Sequence, residues 1–126
     1  MRLSRILALL LLPLLIGGCA ARFTNLTPSI QPRSPEGRYP VEFAFHSPQQ
    51  SLRWETITPF VLVGEQYYPM TKVELIPNRW EGTIPIPPGT NLVHYRFKVD
   101  FEYHDFGRSM PGSASSTTFS LNIKDE

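Results

Sequence analysis

Three histidines, His46, His94 and His104, and a carboxylate pair, Asp100 and Glu102, are the residues of this 126-residue chain best suited to move protons or bind a metal. A histidine-carboxylate metal site would require His104, Asp105 and a second histidine to converge at strand ends, and no spacing demands it. His46 and His94 fall on the polar faces of alternating segments and His104 opens a loop, so all three read as exposed titrating groups. Asp100 and Glu102 stand two residues apart, roughly 7 Å along a strand. Glycoside hydrolysis uses such a pair only in a cleft where one pKa is raised. Here the pair alternates with Arg96 and Lys98, which reads as a cross-strand ion-pair stripe. Residues 107–110, Gly-Arg-Ser-Met, form neither a nucleophile elbow nor a phosphate cradle. Cys19 is the sole cysteine, so no intramolecular disulfide or thiolate metal cluster can form. The expectation is a protein without catalytic residues, metal or bound cofactor.

Binding residues are easier to find. Trp54, Tyr67, Tyr68, Trp80, Tyr103 and Phe106 include rings that alternation does not place securely inside. Tryptophan and tyrosine are enriched in interfaces and stack on sugar rings. Trp54, Tyr67, Tyr68 and the loop at 103–108 are therefore the candidate binding surface, with Trp80 a candidate core or edge filler.

These residues must be positioned by strands. Residues 39–46 alternate, with Val41, Phe43 and Phe45 on one face. Residues 54–64 contain Phe60-Val61-Leu62-Val63, apolar on both faces as in a central strand. Residues 67–70 form a short edge piece because Pro69 cannot donate to a ladder. Segments 72–76 and 79–86 are further strands, separated by Pro77-Asn78, and residues 87–91 are a Pro-Gly turn. Over 92–103 the residues Val93, Tyr95, Phe97, Val99, Phe101 and Tyr103 share one face. Residues 104–116 are rich in Gly, Ser and Pro and read as a loop. Residues 117–123 alternate again. Thirteen prolines and the absence of a helical period beyond the first residues point to an all-β sandwich. Residues 19–38 read as a Pro-rich tether that leads into a first edge strand near 24–30.

The first eighteen residues differ. Arg2 and Arg5 precede an apolar run from Ile6 to Ile16, about half the length needed to span a bilayer, and small residues follow, the parts of a secretory signal with its short helix. Ile16-Gly17-Gly18-Cys19 resembles the lipobox of bacterial lipoproteins. That resemblance implies cleavage between Gly18 and Cys19, acylation of Cys19 and attachment to the cell envelope. Ala20-Ala21 lacks the Asp that signals inner-membrane retention in that family, which implies the outer membrane in a Gram-negative cell. Without Arg2 and Arg5 the remainder carries 10 basic and 11 acidic residues. No Lys/Arg cluster suggests nucleic acid or a polybasic membrane patch, so lipid would hold the protein to the surface. A twenty-residue tether at up to about 3 Å per residue would display the domain tens of Å from that surface.

The strand pattern over 39–124 resembles immunoglobulin-like domains of the early-set kind, which implies a sandwich of about seven strands. Trp80 to Gly89, followed by Tyr95-Arg96-Phe97-Lys98-Val99-Asp100, is similar to glycogen-binding early-set modules, although Phe101 stands where those modules carry glycine. The leading expectation is a lipid-anchored, non-catalytic interaction or envelope-structural module whose partner is an envelope protein or a glycan. The alternative is a carbohydrate-binding module on the same anchor.

Overall fold

A computed structural model describes residues 21–125; the leader, Gly18 and Cys19 lie outside the described residues. Ten strands follow in order: β1 (Arg22–Asn25), β2 (Ile30–Pro32), β3 (Arg38–His46), β4 (Leu52–Val63), β5 (Gln66–Pro69), β6 (Thr71–Lys72), β7 (Arg79–Pro85), β8 (Leu92–Asp105), β9 (Arg108–Ser115) and β10 (Phe119–Lys124). They form a four-stranded sheet, β1-β3-β7-β6, and a six-stranded sheet, β2-β10-β8-β4-β5, with β9 also paired to β8. The first is the A-B-E-D sheet of an immunoglobulin-like sandwich, and β10-β8-β4 is its G-F-C sheet with β5 added beside β4. The fold is all-β, and the described residues hold no helix.

The expected alternation forms the core. Val41, Phe43 and Phe45 from β3 meet Val93, Tyr95, Phe97 and Val99 from β8, all nearly inaccessible. The closest aromatic pair across the two sheets is Phe43 on Phe97, with ring centroids 4.6 Å apart and planes 29° apart. In antibody domains a disulfide joins these same two strands, and here stacked rings occupy its place. Trp80 of β7 continues the stack behind Phe43 at 5.5 Å, and Phe23 of β1 packs on Phe43 at the same distance. Tyr95, two residues before Phe97, accepts a hydrogen bond from Asn25 Nδ2 at 2.9 Å and so ties β1 to β8.

Several expectations are corrected. Within the segment read as tether and first edge strand, residues 21–38 hold two short strands: β1 pairs with β3 from Arg22↔His46 onward, and β2 runs parallel to β10. The prolines there mark edge strands and a change of sheet rather than a linker. At the change of sheet, the Thr27 hydroxyl accepts the Glu42 amide at 2.9 Å and donates to its carbonyl at 3.2 Å. Residues 104–116 are no loop, because β9 pairs with β8 from Lys98↔Ser115 to Asp105↔Arg108. Small residues suffice in β9 because β8 offers it a free edge. Only Phe106 and Gly107 turn, with φ of 50° and 75°, as a two-residue hairpin requires. β9 and β10 lie on the same edge of β8 and act as one strand broken at 116–118, where Ser116 Oγ accepts the Phe97 amide at 2.8 Å. The segment at 72–76 is a strand only to Lys72 and then turns. Residues 86–91 carry the chain from one sheet to the other, so β7 and β8 do not pair with each other.

The last strand is pinned by Arg33, whose Nε donates to Asp125 Oδ1 at 2.7 Å while Nη1 donates to the Thr90 carbonyl at 2.8 Å. The Arg33 hydrogen bond, then its charge, hold the Asp125 carboxyl below the usual aspartate range.

Two predictions follow from this packing. Phe43→Ala removes the centre of the stack and is expected to cost about 3–5 kcal/mol, measured by denaturant unfolding. Asp125 has its pKa lowered on folding, so its contribution is complete above the ordinary value of about 3.9 and disappears as pH falls through the lowered folded value. Asp125→Asn is expected to flatten that acid limb by removing the contribution present above it, so that neutral stability falls slightly while the strongly acid region is unchanged.

Candidate functional site

The pairing of β4 with β8 breaks where the aromatic surface begins. Leu52 and Arg53 face Tyr103 and Glu102, and pairing resumes only at Thr58↔Asp100, leaving residues 54–57 opposite Phe101 alone. Such a bulge bends a strand and re-aims its side chains. Thr56 stabilises it from within: its hydroxyl accepts the Glu102 amide at 2.8 Å and donates to the Arg53 carbonyl at 2.6 Å. The result is an open groove of about 570 Å³, with Trp54, Glu55, Ile57 and Pro59 among the lining of β4 and Met70, Lys72 and Trp80 facing them.

The two tryptophans play different parts in that groove. Trp54 is 37% exposed and leans on Phe45, with centroids 6.0 Å apart. Trp80 is 5% exposed and belongs to the core stack, presenting only an edge. Glu55 and Lys72 bring opposite charges to the rim. A hydrogen bond from its own backbone amide, aided by Arg53 Nε at 3.0 Å, holds the Glu55 carboxyl below its ordinary range. It therefore stays ionised at mildly acidic pH. A partly exposed indole in a groove whose lining carries both signs of charge suits binding.

The remaining candidates do not join this groove. Tyr67 lies exposed on the edge strand β5, edge-on to Phe60 at 5.9 Å and capped by Lys98 Nζ at 5.5 Å from its ring centre. Tyr68 is half-buried and packs against the core, so the two tyrosines point opposite ways as their positions in a strand dictate. Tyr103 is half-buried on β8 opposite Leu52 and Met110. Phe106 is fully exposed at the hairpin turn.

The two histidines of β8 lie far apart. His94 and His104 lie ten residues apart on one strand, roughly 33 Å. His94 Nδ1 bonds Ser120 Oγ at 3.0 Å. Asp100 pairs with Lys98 of its own strand at 3.3 Å, so the expected ion-pair stripe runs along β8 rather than across strands. Among the described residues no group of three or more His, Cys, Asp or Glu is placed to hold a metal.

Two features had no warning in the sequence. One is a groove of about 580 Å³ lined by Arg38, Glu42, Thr71 and Glu81 with Leu26 and Tyr68, formed only when β3, β6 and β7 align. The other is Leu75, completely exposed with a φ of 64° in the turn at 74–78, where Pro77-Asn78 was the only turn signal.

The fold is an immunoglobulin-like β-sandwich that leaves Trp54, Tyr67 and Phe106 exposed among the described residues. No protein-family model matches the chain, and no curated protein matches it. Among solved structures it is similar to murine CRIg, at 12% identity and a TM-score of 0.41 over 83% of this chain and 98% of that one. It is also similar to a DUF4785 family protein from Legionella pneumophila, at 12% identity and a TM-score of 0.43 over 82% of this chain, which spans 28% of that protein.

Thr56→Val keeps the shape of the bulge but leaves the Glu102 amide and Arg53 carbonyl without their partner. Stability is expected to fall by about 0.5–1.5 kcal/mol, since water can reach both groups, with faster hydrogen exchange at Glu102 as the local readout.

Proposed function

We propose that this chain is a lipid-anchored, non-catalytic interaction module of a bacterial cell envelope. One observation carries the reading: the lipobox-like run Ile16-Gly17-Gly18-Cys19 stands three residues before Arg22, where the sandwich begins. An apolar leader closing on a cysteine directly ahead of a rigid domain has the order of parts that lipid anchoring requires. Acyl chains stabilise membrane attachment by about 0.8 kcal/mol per buried methylene, and two or more chains make it durable. In a cell with two membranes the Ala20-Ala21 pair favours the outer one.

The aromatic distribution favours an envelope protein over a glycan as partner. Trp80 is committed to the core, and the two strands whose residues are similar to glycogen-binding modules belong to different sheets. Trp54 in its charged-rim groove and Tyr67 under Lys98 combine ring and charge, as interface anchors do.

Metabolic labelling with a fatty-acid analogue tests the anchor. The wild-type protein is expected to take up label and fractionate with membranes until detergent is added. Cys19→Ser is expected to lose the label, and equal labelling of the two proteins would overturn the reading.

A further inference from the structure

Strand registers place several features at one end of the sandwich. Arg22 pairs with His46, Ala44 with Arg79, Leu52 with Tyr103 and Asp105 with Arg108. The entry of the chain, the loop at 47–51, the turn at 74–78 and the β8–β9 turn therefore lie together. The C-terminal strand leaves from the other end, where Lys124 pairs with Pro32.

The turns of the two ends are built from different residues. At the C-terminal end, positive φ falls on Gly37, Gly64 and Gly89. At the entry end Gly107 shares the β8–β9 turn with Phe106, and all three non-glycine residues with positive φ among the described residues, Leu75, Asn78 and Phe106, lie there. A bulky side chain is disfavoured in the left-handed region, where glycine or asparagine is at ease. Leu75 and Phe106 nonetheless stand there with relative exposures of 102% and 97%, so neither packs on its own core. Folding gains nothing from them. The hairpin also projects: Phe106 lies nine residues past Phe97, roughly 30 Å, whereas β3 runs three residues past the level of Phe43, roughly 10 Å.

What meets this end follows from the length of chain before it. Cys19 is three residues from Arg22, a reach of at most about 11 Å, and Ala21 already packs against the core. Resting on the anchor proposed above, an acylated Cys19 brings the entry end, and no other, down to the leaflet. We infer that Leu75 and Phe106 are membrane-docking tips that enter the acyl boundary beside the anchor, with the domain tilted toward the turn at 74–78 because the β8–β9 hairpin projects further. Their neighbours Glu74, Asp105 and Arg108 carry both signs, so docking is apolar in origin and insensitive to salt and headgroup charge. The domain sits on the bilayer rather than on a long leash, with its C-terminal end outward.

Full-length protein processed in cells and reconstituted in phosphatidylcholine vesicles with brominated acyl chains tests this. Leu75→Cys, Phe106→Cys and, at the opposite end, Glu36→Cys would each carry a polarity-sensitive fluorophore, and mass analysis would establish the lipid on Cys19. Labels at 75 and 106 are expected to shift to shorter wavelength and be quenched, equally in low and high salt, while the label at 36 stays in water. Lipidated protein held on vesicles with all three labels in water would overturn the docking and leave the anchor standing. Labels wet on vesicles but protected in native membranes would also overturn it and assign the tips to a protein. Absence of lipid on Cys19 would defeat the anchor, and the docking with it.

Discussion

The structure depends on the stack of Phe43 on Phe97. These rings come from the central strands of opposite sheets and approach to 4.6 Å. The chain has a single cysteine, ahead of the fold, so no covalent link can hold the sheets together. Dispersion and exclusion of water must hold them instead, and flat rings supply much contact area for little conformational entropy. Trp80 behind Phe43 and Phe23 beside it widen the contact to four strands. Tyr95 adds one directional bond, to Asn25, that sets how the first strand lies over the core.

The same stack decides which aromatics remain for binding. Trp80 is consumed by it. Trp54 escapes only because four residues of β4 face one of β8, and the Thr56 hydroxyl makes that irregularity stable by pairing the groups it would otherwise orphan. The groove is thus a product of an irregular ladder on a well-packed base. The turns at the entry end follow the same logic. They accept unfavourable backbone for the sake of presenting Leu75 and Phe106, which a turn selected for stability alone would replace with glycine or asparagine.

Much of the fold was legible because alternation is a local signal. β3, β8 and β10 lie where their inward rows of Val, Phe, Tyr, Leu and Ile indicated, and the two-faced run at Phe60 to Val63 is a central part of its sheet. The illegible parts were those whose state is set by a neighbour. β9 contains Ser, Pro, Gly and Ala and pairs only because β8 is long enough to offer an edge. The prolines between 28 and 40 suggested a linker, since sequence distinguishes poorly between a linker and edge strands that change sheets. At the candidate site, Trp54, Tyr67 and Phe106 were recognisable as rings without a secure inward place. Leu75 was not, because an apolar residue between Val73 and Ile76 looks like strand until the turn is seen.

Composition and periodicity alone determined an all-β sandwich, its principal inward rows, the lack of a disulfide and the cysteine-ended leader, because each follows from residue type and local spacing. Tertiary structure alone decided which rings pair across the sheets, that Trp80 is core and Trp54 surface, and that β7 and β8 belong to different sheets. It also decided that Arg22, Leu75 and Phe106 share one end. Those outcomes depend on register and on which strands become neighbours, and these emerge only when residues tens of positions apart compete to bury the same surface.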